Sequence, residues 1–129
     1  MIIENIQPLA SLTSLIRLSL GDNKIENLDP ITRLNNLLSL NVNRNRLSNL
    51  PSLASLNNLE ILSLERNRIS DLQPLSKLSK LTEIYLSNNQ ITDLKPLSKL
   101  TRLTKIELSN NRLSEQTCPI VSPADICTF

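Results

Sequence analysis

The stretch Leu15-Ile16-Arg17-Leu18-Ser19-Leu20-Gly21-Asp22-Asn23-Lys24-Ile25 sets a frame, L-x-x-(L/I)-x-(L/V)-x-x-N-x-(I/L), that the chain repeats without a slip. Its asparagine returns every 22 residues, at Asn23, Asn45, Asn67, Asn89 and Asn111. The second copy reads Leu37, Leu40, Val42, Asn45, Leu47, and the third Leu59, Leu62, Leu64, Asn67, Ile69. Leu81, Ile84, Leu86, Asn89, Ile91 and then Leu103, Ile106, Leu108, Asn111, Leu113 complete the series. A self-similar period in the twenties means stacked coils, each touching only its neighbours.

Around Leu18-Ser19-Leu20 alternate residues point to opposite faces, so the leucines enter a core and the residues between them face outward. Five such segments are expected to stack as one parallel sheet on a concave side. The turn after each strand leaves peptide groups without ladder partners, and an asparagine amide, both donor and acceptor, can satisfy them from coil to coil. The asparagines are therefore read as structural. On the return side Leu28, Leu50, Leu72 and Leu94 form one apolar column, Ile31, Leu53, Leu75 and Leu97 a second, and Leu34, Leu56, Leu78 and Leu100 a third. Pro8, Pro30, Pro74 and Pro96 keep the same period, while Pro51 comes one position early. Proline fixes φ and donates no hydrogen bond, which suits 3₁₀ or extended convex segments and predicts little α-helix.

The frame is that of the leucine-rich repeat. The added pattern N/D-L-x-P-L-x-x-L, as in Asp71-Leu72-Gln73-Pro74-Leu75 running to Leu78, resembles the 22-residue subclass of internalins and of the leucine-rich regulatory subunit of protein phosphatase 1. The resemblance covers roughly residues 3 to 113 and points to a small bacterial member. It implies an α/β solenoid, right-handed, with a five-stranded parallel concave sheet. Protein recognition is the activity it implies, and no particular ligand carries over.

The frame accounts for both ends only in part. Residues 1–9 match the second half of a coil, Ile3 aligning with Ile25, Ile6 with Leu28 and Leu9 with Ile31, so they are expected to form an N-terminal half-repeat cap. No complete strand precedes Leu18, which leaves a hydrogen-bonding edge open to pairing with another chain. The repeats run over 10–113, and 114–129 is a C-terminal cap of one 129-residue domain. There Gln116, Pro119, Ser122 and Asp125 stand where a further coil would be apolar. Ser122-Pro123-Ala124-Asp125 reads as a helix N-cap with proline at the first helical position. Ile126, Cys127 and Phe129 are placed to cover the last coil. Cys118 and Cys127 lack the spacing of a redox or zinc motif, and the chain has no histidine, so no metal and no cofactor are expected. The leading reading makes them small buried apolar residues; a disulfide pinning the cap is the other.

A net charge of +2 and only two aromatics, Tyr85 and Phe129, argue against nucleic acid. Met1-Ile2-Ile3-Glu4 begins no basic or long apolar run, so the expectation is a cytoplasmic protein without a membrane partner.

Partner-binding candidates are the outward strand positions and the rim beyond them: Arg17, Asn41, Ile61, Ser63, Glu83, Tyr85, Lys105 and Glu107, with Arg44 and Arg66 on the rim. Ile61 and Tyr85 are expected to make one exposed apolar spot, with tyrosine as the anchor of an interface. The arginines are suited to carboxylates or phosphates of a partner, against a plainer reading as a solvated rim balanced by Asp22 and Glu65. Acidic residues are spread singly and no nucleophile has a base, so an enzyme is not expected. The function expected is a non-catalytic module binding an unidentified protein on the concave sheet. The alternative is a self-associating or structural scaffold unit, a monomer or weak homodimer through the N-terminal edge strand. The likeness of PLSKLSKLTEIYLSNNQITDL (74–94) to PLSKLTRLTKIELSNNRLSE (96–115) favours that alternative, because a surface shaped for one ligand should diverge between coils.

Overall fold

The computed structural model describes residues 1–51, 53–120 and 125–129. Strands β1 (Arg17–Ser19), β2 (Ser39–Asn41), β3 (Ile61–Ser63), β4 (Glu83–Tyr85) and β5 (Lys105–Glu107) lie parallel in chain order. Each residue sits beside the one 22 positions on, as Leu18 beside Leu40 and Leu62 beside Ile84. The central residues of β2 to β5, Leu40, Leu62, Ile84 and Ile106, are fully buried while their neighbours face the concave side. Burial of each such side chain contributes about 1.5–3 kcal/mol, so the sheet is held mainly from its inner face.

The asparagine column does what its chemistry predicts. Asn67 donates through Nδ2 to the Val42 carbonyl of the coil before (3.0 Å) and to Leu64 of its own (3.1 Å), and its Oδ1 accepts from Leu47 N–H (3.0 Å). Asn45, Asn89 and Asn111 repeat the arrangement. Three of them, Asn45, Asn67 and Asn89, are buried, and the ladder leaves no described buried side-chain polar atom unpaired.

On the convex side the described helical elements are three-residue 3₁₀ turns at Gln7–Leu9, Asp29–Ile31, Leu53–Ser55, Gln73–Leu75 and Lys95–Leu97. An Asn or Asp two residues ahead starts four of them, Asn5, Asn27, Asp71 and Asp93 each accepting a backbone N–H at 2.8–2.9 Å. The third coil cannot repeat this bond, because Pro51 occupies the donor position and has no N–H. The 3₁₀ turn described there is Leu53–Ser55.

The C-terminal end departs from expectation in two ways. A sixth strand, β6 (Cys127–Thr128), adds to the sheet beside β5, which makes six strands rather than five. Ile106 N–H donates to Ile126 O (2.7 Å) and Leu108 N–H to Thr128 O (2.6 Å), so the last coil's open backbone groups find partners. The cysteines are not free apolar residues: Cys118 and Cys127 form a disulfide that ties β6 back to the last turn. Ile120 and Ile126 are buried, and Phe129 packs against the core as expected. The helix read at Ser122-Pro123-Ala124 lies outside the described residues.

Residues 1–9 lie against the first full coil. Ile3 N–H donates to Asn23 Oδ1 (2.8 Å), Lys24 N–H to Ile3 O (2.9 Å), and Ile6 is buried. These residues leave β1 at the sheet's edge, paired on one side only. Leu18 is only half-buried there, and Ile2, Leu12 and Ile16 are exposed.

Candidate partner-binding face

The parallel register gathers the outward candidates into rows. Arg17, Ile61, Glu83 and Lys105 fall in one row with Ser39 between the first two. Asn41, Ser63, Tyr85 and Glu107 fall in the next. Arg44 and Arg66 stand beyond the strands, at the turn. The structure thus brings all ten to one concave face and its rim.

The Ile61–Tyr85 pair, expected as one exposed apolar spot, is half-buried on both sides, and polar groups surround the tyrosine. Ile61 lies beside Ser39 and Glu83, and Tyr85 beside Ser63 and Glu107, so the two meet only on the diagonal. Tyr85 instead centres a polar cluster. Its hydroxyl donates to Glu83, Lys105 Nζ lies 5.3 Å from its ring centroid, and the same ammonium is 3.6 Å from Glu107. The hydrogen bond to Glu83, then burial, then the charges of Glu83, Glu107 and Glu65 push the hydroxyl up to about 12. The phenol is consequently a neutral donor throughout the physiological range. A cation held over its face adds a further attraction.

At the other end of the face a hollow of about 500 Å³ opens along the rim. Gly21, Asp22, Asn41, Arg44, Glu65 and Arg66 are among the residues that line it. Arg44 is tied to Asp22 at 3.2 Å, and Arg46 reaches Glu26 at 3.9 Å; both pairs are solvent-exposed and worth little to stability. Arg66 makes no ion pair with a described residue, so the balance expected from Asp22 and Glu65 reaches only one of the two arginines.

One feature of the rim went unread in the sequence. Asp22, Arg44, Arg66, Asn88 and Asn110 all have positive φ, between 54° and 61°. Asp and Asn tolerate this left-handed conformation, and their recurrence at the column is the signal that could have revealed it. Among the described residues no group of three or more His, Cys, Asp or Glu could hold a metal ion.

A family model for leucine-rich repeats in two copies matches residues 79–119. The solved structure of internalin C2 from Listeria monocytogenes is 33% identical at a TM-score of 0.89, over 98% of this chain and 55% of that one. The chain is a leucine-rich repeat protein. Its repeats are internalin-like, and a second L. monocytogenes internalin is 32% identical at a TM-score of 0.70, over 88% of this chain and 40% of its own. A leucine-rich repeat protein of Leptospira interrogans is 35% identical at a TM-score of 0.81, over 87% of this chain and 30% of that one. This leucine-rich repeat protein therefore spans about half, or less, of the length of the structures it resembles. No curated protein sequence matches it.

Proposed function

We propose that this leucine-rich repeat protein is a non-catalytic module that binds a protein partner on its concave sheet. The observation that carries the reading is the pair of outward rows. Ladder and core hold their backbone rigidly, while their side chains differ from coil to coil, from Arg17 and Ile61 to Tyr85 and Glu107. Rigid placement lowers the ordering cost of association. Tyr85 and Arg66 are of the types enriched at the centres of interfaces. In affinity capture from lysate of the source cell, the wild-type chain should retain a protein that a Tyr85→Ala, Arg66→Ala double variant loses. Equal capture by both would end the reading.

A second reading, self-association through β1, is favoured by one observation: the strand's outer edge is unpaired and is flanked by exposed Leu12 and Ile16. Sedimentation should then give twice the monomer mass, and a concentration-independent monomer would exclude it. We infer a bacterial source from the organisms of the similar structures. For the compartment, the Cys118–Cys127 disulfide supports an oxidising environment in place of the cytoplasm.

A further inference from the structure

Resting on the concave-face reading, we propose that the rim hollow between Gly21 and Arg66 is a carboxylate site, which receives an Asp or Glu side chain of the protein partner.

Three independent observations converge on it. The first is an imbalance of hydrogen-bonding groups. Asn41 Oδ1 already accepts from Asn43 N–H (2.9 Å), Asn43 Oδ1 from Glu65 N–H (2.8 Å), and Asn88 Oδ1 from Asn110 Nδ2 (3.2 Å). For the first two the donor is a backbone N–H, which fixes the oxygen's side of the amide. The Nδ2 groups of Asn41 and Asn88 and the whole Arg66 guanidinium donate to no described residue, while Arg44 engages only one nitrogen. The amide acceptors are occupied, and of the amide donors only Asn43 Nδ2 is engaged, by Glu65 at 3.4 Å, so the hollow is suited to an acceptor. A guanidinium beside amide N–H groups matches the two oxygens of a carboxylate. Asp22 and Glu65 in the walls would oppose a dianionic phosphate more strongly than a singly charged carboxylate.

The second observation is backbone strain. Arg44 and Arg66 hold φ of 55° and 54° at a column whose other members are Asp or Asn. Arginine gains nothing from that conformation, and strained residues cluster where function requires them. The third is Gly21, the chain's single glycine. The equivalent residues in the other coils are Asn43, Glu65, Ser87 and Ser109. Its φ is not positive, and an added Cβ would meet Asn43 O at 3.5 Å and Asn41 Oδ1 at 3.6 Å, ordinary contacts. Neither conformation nor packing requires glycine here. What the missing side chain does is keep the hollow open.

The test is an NMR titration of the full chain with acetyl-Gly-Asp-Gly-amide, its Asn counterpart and inorganic phosphate. The Asp peptide should shift the amides around Gly21, Asn43 and Arg66 and saturate, with the Asn peptide about tenfold weaker or more. Gly21→Gln, which fills the hollow, and Arg66→Gln, which removes the free cation, should each weaken the Asp peptide about tenfold with thermal midpoints retained. Lys77→Ala on the convex side should change nothing. Equal response to both peptides, tighter binding of phosphate, or an Arg66→Gln variant that binds as well as wild type would overturn the carboxylate site. If partner capture is indifferent to Tyr85 and Arg66 while the Asp peptide still saturates the hollow, the concave-face reading falls and with it the partner's side chain as occupant, and only the carboxylate chemistry of the hollow stands. Partner capture that is lost in the double variant, beside a silent peptide titration, gives the reverse.

Discussion

The first and last repeat strands of this chain's sheet, β1 and β5, are covered differently. At the C-terminal end β6 pairs the last strand's backbone, Ile120 and Ile126 cover the apolar interior, and a disulfide ties the segment down. At the N-terminal end residues 1–9 continue the convex columns but add no strand, so β1 keeps a bare edge beside exposed Ile2, Leu12 and Ile16. A periodic frame cannot cover its own ends. Covering takes residues that break the frame, such as Cys118 and Cys127, whereas residues that obey it only present another open face.

The sharpest way to break this contrast is to compare cavities. Leu64→Ala, in the fully buried middle, should cost roughly 2–5 kcal/mol in urea unfolding. Leu18→Ala, at half-buried β1, should cost less than about half of that, since less of its surface leaves water. Equal costs would mean that the N-terminal edge is covered in solution. Replacing both cysteines by serine comes next. The loop closed by a bridge of sequence separation 9 is small, and its loss should cost roughly 2–3 kcal/mol. Hydrogen exchange at Ile106 and Leu108 should then speed up; unchanged exchange would show that strand pairing alone holds the cap.

Within the ladder, Asn67→Ala should cost about 1–3 kcal/mol by leaving buried peptide groups unpaired. Asn23→Ala should cost less, because its groups are only part-buried and water can replace the amide. A neutral Asn67→Ala would remove the ladder from the account of stability. The smallest effect belongs to Ile16→Lys, expected within about 0.5 kcal/mol of wild type in the monomer because the side chain is exposed. The same variant should abolish any dimer formed through β1, read as sedimentation mass.

The interior of the fold was legible because every coil repeats the same physical demands. Leu18, Leu40 and Leu62 announce the strands by alternation, and Asn45 and Asn67 announce a turn whose peptide groups need an amide. The diagonal placement of Ile61 and Tyr85 was legible too, since an in-phase parallel sheet sets Glu83, 22 residues on, beside Ile61. What the sequence hid was non-periodic. Cys127–Thr128 is too short to declare itself a strand, and two cysteines do not reveal whether they are bonded. The rim hollow depends on which amide oxygens are occupied, and that is decided only once neighbouring coils are in register.

The amide ladder also makes the length of this molecule a quantised property. Asn45, Asn67, Asn89 and Asn111 each reach back to the carbonyl 25 residues before them and accept from the N–H 20 residues before them. Removing 22 residues from the interior, for instance 67–88, sets Asn89 against Val42 and Leu47 in the places that Asn67 held, with every column restored. Removing 21 or 23 would instead put every later side chain one step out of phase with its neighbours. Change in this scaffold therefore comes in whole coils, and a shorter or longer relative is a different count of the same unit rather than a different structure.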